Sequence, residues 1–162
     1  MPRALVVHAS KYGSVEEVAQ FVAEVLRDEG VECDVARASE QGVAGYDLVV
    51  LGAGLYMSRL HRDARRFLRR HGEELTRMPF AVFAMGPLSA DPEERMKVRP
   101  QLERELARHP GLVPVASEIF GGVIVPERMS FPFNRLPAGD HRDWEAIRTF
   151  ALSLPLVRAV PV

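Results

Sequence analysis

RALVVHASKYGSV, residues 3–15 of the chain, carries the pattern that decides the fold. An apolar run at residues 5–8 is followed by a small polar loop at residues 9–14. Apolar residues then recur at helical spacing, namely Val15, Val18, Ala19, Val22, Val25 and Leu26. A helix that begins here directs its free backbone N–H groups and the positive end of its dipole into the loop. The stretch therefore predicts a strand, a hydroxyl-rich turn that binds an anion, and a helix.

The composition is that of an ordinary globular protein. The chain has 162 residues, 47% of them apolar and 27% charged, so one domain over residues 1–162 with a substantial core is expected. The formal net charge of −1 argues against a nucleic-acid partner. No apolar run approaches the roughly 20 residues that a membrane helix needs, so no transmembrane segment is expected.

The cysteine content and the N-terminus indicate the compartment. Cys33 is the only cysteine, which excludes an intrachain disulfide and suggests reducing conditions. Residues 31–37 alternate apolar with polar side chains, so this strand is predicted near a sheet edge with Cys33 in the core. Nothing after Met1 resembles a signal peptide, and a cytoplasmic location is expected.

Strand and helix patterns alternate along the whole chain. Strands are predicted at 3–8, 31–37, 47–52, 79–85 and 113–120, and helices at 14–29, 61–75, 91 onwards and 140–154. Gly30 should end the first helix, Asp91 should cap the third, and Pro100 should kink the third helix or begin another. Asp140 is predicted to cap the last helix, with Asp143 at its third position. This alternation predicts an α/β fold with a doubly wound parallel sheet.

Three loops follow strands of this sheet, at residues 9–14, 52–58 and 86–89. In such sheets ligands bind beyond the carboxyl ends of the strands, where the strand order reverses. The loops should therefore form one crevice. A G-x-G-x-x-G motif after the first strand and a Walker phosphate loop are both absent, which argues against dinucleotides and nucleoside triphosphates. Hydroxyls and backbone amides around one glycine suit a single terminal phosphate.

The loop at 10–15, the order of the elements and the two later loops resemble the flavodoxin-like FMN-binding domains. Three segments narrow the resemblance to the branch that includes the menaquinone-dependent protoporphyrinogen oxidases: Gly52 to Tyr56, the basic run Arg65 to His71, and Gly139 to Glu145. This resemblance covers essentially the whole chain. It implies five parallel strands in the order 2-1-3-4-5 with helices on both faces, and FMN as the cofactor.

The resemblance also implies which residues hold FMN. The phosphate would lie at Ser10, Lys11, Tyr12, Gly13, Ser14 and Val15. The isoalloxazine ring would lie between Gly54, Leu55, Tyr56, Met57 and Ser58 on one side and Gly86, Pro87 and Leu88 on the other. Lys11 either neutralises the phosphate or faces solvent. Tyr56 either stacks on the flavin or packs on the surface, and Pro87 and Leu88 either line the ring or only shape the loop.

Two further segments have no assigned chemistry. Arginines crowd residues 59–77, which form either a solvated face or a surface for an acidic redox partner, substrate carboxylates or anionic lipid heads. Residues 121–139 are rich in glycine, proline and aromatic side chains. They form either a loop folded back over the core or a flap that contacts substrate or the membrane surface. His61, His71, His109 and His141 show no metal-ligand spacing. No side chain is singled out as catalytic.

Two functions are compatible with these patterns. The first is an FMN-dependent redox protein, either an electron carrier or a protoporphyrinogen-oxidase-like dehydrogenase, which would serve a partner protein or a quinone- or porphyrin-like molecule. The second is a flavodoxin-fold binding or regulatory module that does not retain flavin. Val15 and Ser58, which replace residue types usual in flavodoxins, favour the second.

Overall fold

The computed structural model describes residues 2–11, 13–86 and 91–157. Its strands are β1 (Arg3–Ala9), β2 (Glu32–Arg37), β3 (Leu48–Tyr56), β4 (Arg59–Leu60), β5 (Phe80–Gly86), β6 (Ala116–Gly121), β7 (Val123–Ile124) and β8 (Gly139–Asp140). Its helices are α1 (Ser14–Asp28), α2 (Arg62–Leu75), α3 (Pro92–Leu106) and α4 (Trp144–Leu152). Two short 3-10 turns, Pro126–Arg128 and Phe133–Arg135, lie between β7 and β8.

The main sheet is parallel in the order β2-β1-β3-β5-β6, with β4 paired antiparallel to β3. Without the hairpin strand β4, this is the predicted order 2-1-3-4-5, and the predicted fold is confirmed. Helices α1 and α4 pack on one face of the sheet, and α2 and α3 pack on the other. β2 lies at an edge, as its alternating pattern predicts, and Cys33 is buried in the core.

β3 lies at the centre of the sheet and is longer than the sequence predicts. Residues 52–56 continue the strand, so the second loop is only the two-residue turn that joins β3 to β4. The sequence predicts a loop here because glycines are uncommon inside strands. At Gly52 a Cβ would overlap the ring of Phe83, so the missing side chain is what lets that ring pack on the strand.

The helix ends agree with the sequence for α1 and α3 and differ for α4. Gly30, with a φ of 85°, ends α1, and Asp91 caps α3, as predicted. α3 continues through Pro100, so a second helix does not begin there. Asp143, not Asp140, caps α4 by accepting a hydrogen bond from the N–H of Ala146 at 3.0 Å. The Asp140 carboxylate is not available, because it binds the side chain of Arg142.

Among the described residues, no helix combines the length and the apolar character that crossing a membrane requires.

Candidate cofactor-binding site

The strand register brings the carboxyl ends of β1, β3 and β5 to one edge of the sheet. Ala9, the last residue of β1, pairs with Ala53 of β3, and β3 continues for three more residues to Tyr56. One step further along the sheet, Gly86 of β5 pairs with Gly121 of β6. The connection after β1 runs through α1 on one face, and the connection after β3 runs through α2 on the other. The strand order therefore reverses between β1 and β3, which is where such sheets form a ligand crevice.

The start of α1 forms the first wall of this crevice. Gly13 is the N-cap with a φ of 81°, and no side chain caps the helix. The hydroxyls of Ser10 and Ser14 are half-buried and make no hydrogen bond with any described residue. A helix start with uncapped N–H groups and two free hydroxyls can bind an oxyanion.

The other residues of the first loop differ in what they could contribute. Val15 is fully buried in the core between α1 and the sheet, so only its backbone N–H faces the turn. This packing explains why an apolar residue stands there. Lys11 is exposed, and Tyr12 lies outside the described residues.

Arg142 joins the last connection of the chain to the start of α1. Its guanidinium donates to both oxygens of Asp140, at 3.0 and 2.7 Å, and to the carboxylate of Glu17 at 2.7 Å. It also lies over the ring of Trp144, 4.8 Å from the ring centre. These hydrogen bonds from Arg142 lower the pKa of Asp140 below its usual range. The network places Arg142, together with the carboxylates of Asp140 and Glu17, beside the predicted anion turn.

A cavity of about 120 Å³ lies next to this network. Its walls come from the first turn of α1 and from residues 123–129, and the side chains that line it are Ser14, Glu17, Val123, Val125, Arg128, Met129 and Arg142. The segment that the sequence analysis left unassigned therefore adjoins the predicted phosphate turn.

The turn between β3 and β4 forms the second wall. Met57 and Ser58 have φ angles of 51° and 67°, a left-handed conformation that non-glycine residues seldom adopt. Both are exposed, whereas Leu55 is buried in the core and offers only backbone to a ligand. Tyr56 is half-buried, and its ring lies 2.8 Å from where a Cβ on Gly54 would be. Gly54 thus provides the space in which the Tyr56 ring lies.

The third wall begins at Gly86, which is buried, while Pro87 and Leu88 lie outside the described residues. A Cβ at Gly122 would overlap the carbonyl oxygen of Gly86, so the segment after β6 packs directly against this wall. A Cβ at Gly121 would likewise overlap the carbonyl oxygen of His141. Two consecutive glycines therefore permit close packing where β6 ends.

Sequence reasoning missed three contributors to this edge: Glu17, Arg142 and Gly122. The contact between the first two spans 125 residues, which no local pattern reveals. Arg142 does lie within the segment at 139–145 that carries part of the family resemblance. The Gly121-Gly122 pair was the available signal for close backbone packing.

Part of the excursion at residues 121–139 folds back over the protein, which is one of its two predicted forms. β7 and β8 pair at its base, and Met129 is buried, so part of it folds back over the protein. Phe131 is 70% exposed, and the Arg135 guanidinium lies 5.3 Å from its ring centre. The excursion therefore covers the core at one point and presents an aromatic side chain at another.

The buried thiol and the described histidines form no metal-binding cluster. Burial raises the pKa of Cys33 to about 11, so its thiol is protonated at neutral pH. Desolvation lowers the pKa of His8, which is buried at the end of β1. Within residues 2–11, 13–86 and 91–157, no group of three or more His, Cys, Asp or Glu side chains is placed to hold a metal ion.

Comparison with known proteins gives one family. Residues 5–136 match the family model described as "Flavodoxin domain". Protoporphyrinogen IX dehydrogenase [quinone] of Escherichia coli K12 is 29% identical over 96 residues, which cover 57% of this chain and 53% of that one. The protein of the same name from Leishmania major is 25% identical over 183 aligned positions, covering 99% and 78% of the two chains. The chain thus aligns with about half the length of the E. coli protein.

Solved structures give the same fold. Flavodoxin 2 of Bacillus cereus superposes with a TM-score of 0.62 at 19% identity, covering 93% of this chain and 95% of that one. A short-chain flavodoxin associated with a bacterial microcompartment gives 0.61 at 20% identity, covering 95% and 97%. At these identities the likeness is one of fold.

Proposed function

Since the chain belongs to the flavodoxin domain family, we propose that it binds FMN and acts as a redox protein. The single observation that carries this proposal is the start of α1. An uncapped helix N-terminus with two unbonded hydroxyls lies where the strand order reverses. A terminal monophosphate supplies the acceptors that those donors lack.

In this proposal, the phosphate binds to the backbone N–H groups of the loop at 10–15 and to the hydroxyls of Ser10 and Ser14. Backbone amides and hydroxyls provide most of the binding in this proposal, because the guanidinium of Arg142 is already paired with Glu17 and Asp140. The residues fit the group: the donors are unpaired, and Gly13 leaves the helix end free of a side chain.

The ring of the flavin would lie between the β3–β4 turn and the segment after Gly86. Tyr56 offers an aromatic face, and the Met57–Ser58 backbone offers polar groups held in an uncommon conformation. Such backbone strain is typical of ligand-binding turns. FMN, when bound, supplies the ability to accept and donate electrons, while the chain orients it and limits its contact with water.

We further propose the finer activity of a dehydrogenase that passes electrons from a porphyrinogen-like molecule to a quinone, in the cytoplasm. The names of the E. coli and Leishmania relatives support this reaction. An electron carrier is the second candidate, supported by likeness of fold to flavodoxins.

FMN binding is tested by titrating the purified protein with FMN and with riboflavin, which lacks the phosphate, and following flavin fluorescence. FMN should bind more tightly than riboflavin. Replacing Ser10 and Ser14 together by alanine should weaken FMN binding about tenfold or more, since each lost hydrogen bond contributes about 1 kcal/mol. Riboflavin affinity should not change. Ser39→Ala, at an exposed serine that follows β2, is the matched control.

The opposite results are equally clear. If the protein binds neither flavin, and its melting temperature is the same with and without FMN, it is instead a flavodoxin-fold binding or regulatory module that does not retain flavin. If the double serine variant binds FMN as the unaltered protein does, the proposed phosphate site is wrong.

The reaction is tested separately with FMN-loaded protein. Porphyrin fluorescence that appears only when porphyrinogen, quinone and loaded protein are all present would support the dehydrogenase. Loaded protein that exchanges electrons with a reduced partner protein but leaves porphyrinogen unchanged would support the carrier.

A further inference from the structure

A second concave site lies between α2 and α3, on the face of the sheet opposite α1. The cavity has a volume of about 380 Å³. Its charged and polar lining comes from the hairpin strand β4, from both helices and from the turn that follows α3, and consists of Arg59, Arg65, Arg69, Glu105, Arg108 and His109. The sequence analysis grouped the arginines of residues 59–77, whereas Glu105, Arg108 and His109 join Arg59, Arg65 and Arg69 only in the fold.

One carboxylate organises the cavity. Glu105 is 3% exposed, and its carboxylate binds Arg59 at 2.8 Å and Arg108 at 3.5 Å. A buried carboxylate between two guanidinium groups is well compensated. It also holds both arginines at the rim of the cavity, so their remaining N–H groups are positioned before any ligand arrives.

The other two arginines are not neutralised. Arg65 donates its Nε–H to the carbonyl oxygen of Leu60 at 3.1 Å, which orients the side chain without cancelling its charge. Arg69 makes no hydrogen bond or ion pair with any described residue. Four arginines against one carboxylate leave three positive charges in one concavity. Burial lowers the pKa of His109, so at neutral pH this ring adds no further charge.

Converging like charges repel one another, and water in a concave site screens them less than bulk water does. An anion with several charged oxygens relieves this repulsion and accepts hydrogen bonds from several guanidinium groups at once. We propose that this cavity is a binding site for a small multivalent anion that carries carboxylate or phosphate groups. The concave shape favours such a ligand over the flat face of an acidic protein.

This site does not depend on the proposed flavin. It adjoins the flavin-side hairpin through Arg59, which pairs with Tyr56 across the β3–β4 turn. Because Arg59 links the hairpin to Glu105, an anion bound here would contact the same hairpin from its other side.

The test is calorimetric titration of the purified full chain with pyrophosphate and with citrate at constant ionic strength, without added flavin. The two probes separate a phosphate preference from a carboxylate preference. Arg69→Gln should weaken binding about tenfold or more, as expected for a lost charge-assisted hydrogen bond. It should leave the melting temperature unchanged, because Arg69 supports no other described residue. Arg70→Gln, an exposed neighbour on α2 outside the cavity, should change the affinity less than twofold.

Three results would overturn the proposal. The first is that neither probe produces heat at millimolar concentration in 0.15 M salt. The second is that the two variants lose affinity equally, which would reveal a diffuse electrostatic effect of the helix. A third contrary result is that an acidic protein or peptide binds while both small anions do not, which would make this face a docking surface.

Discussion

The guanidinium of Arg142 donates to the carboxylate of Glu17 at 2.7 Å, and these residues are 125 positions apart. The contact joins the connection before α4 to the first turn of α1, the same turn that begins at the predicted phosphate loop. The Arg142 side chain is only 10% exposed, so the charge is largely enclosed by its partners.

Replacing Arg142 by glutamine should lower the free energy of unfolding by about 1–2 kcal/mol. The bidentate contact with Asp140 and the packing on Trp144 are lost, while the partly exposed Glu17 pair adds little. Urea denaturation measures the change. Arg148→Gln, on the exposed side of α4, is the control and should alter stability by less than about 0.5 kcal/mol. Equal effects of the two variants would contradict the role given to Arg142.

The contribution of Asp140 should depend on pH. Hydrogen bonds from Arg142 hold the pKa of Asp140 below its unfolded value of about 3.9, so its contribution is present above pH 4 and lost as the pH falls further. The difference in unfolding free energy between the unaltered protein and Asp140→Asn should therefore shrink between pH 6 and pH 3. Urea unfolding at the two pH values measures it. A difference that stays constant would show that the carboxylate charge is not responsible.

Gly122→Ala should destabilise the protein by about 1–3 kcal/mol, since the added methyl group overlaps the carbonyl oxygen of Gly86 and the backbone must shift. Gly42→Ala is the matched control, because a Cβ there meets nothing within 4 Å and the backbone has no positive φ. Thermal and urea unfolding of both variants test this. If both behave alike, the close packing at the end of β6 is not tight.

Ser58→Gly should raise the free energy of unfolding by about 0.5–1 kcal/mol. Glycine adopts a positive φ without strain, and this gain exceeds the entropy that it adds to the unfolded chain. Ser58→Ala, which keeps a Cβ, should leave stability nearly unchanged. A loss of stability in the glycine variant would mean that the Ser58 conformation is not strained.

Cys33 should react with a thiol reagent roughly a hundredfold more slowly in the folded protein than in urea. Its pKa of about 11 lies about two units above that of a free thiol, and burial also restricts access. Absorbance after addition of a disulfide reagent follows the reaction. Comparable rates in both states would place the thiol at the surface.

The hydrophobic pattern predicted the fold because each strand of a doubly wound sheet carries its own signal. The apolar run at 48–51 indicates a central strand, and the alternation at 31–37 indicates an edge strand. The extension of β3 was missed because glycines such as Gly52 and Gly54 are typical of loops. In the structure they belong to the strand, where the missing side chains make room for the rings of Phe83 and Tyr56.

The polar contacts were less predictable, because their partners are distant in sequence. Asp140 and Asp143 are equally good capping residues by type, and only the position of Arg142 decides which one caps α4. Likewise, nothing in the sequence around Glu105 predicts that its carboxylate pairs with Arg59 and Arg108. Ion pairs of this kind depend on the tertiary arrangement and produce no periodic pattern in the sequence.

The β7–β8 pair makes the long connection after β6 a replaceable part. Val123 pairs with Asp140 and Ile124 with Gly139, so the two ends of the connection are held together independently of what lies between them. Lengthening a closed loop costs little additional entropy. Apart from the buried Met129, residues 125–138 could therefore be exchanged for a segment of different length or chemistry while the sheet stays intact. The fold thus offers an attachment point, beside the crevice, at which new recognition loops can be grafted.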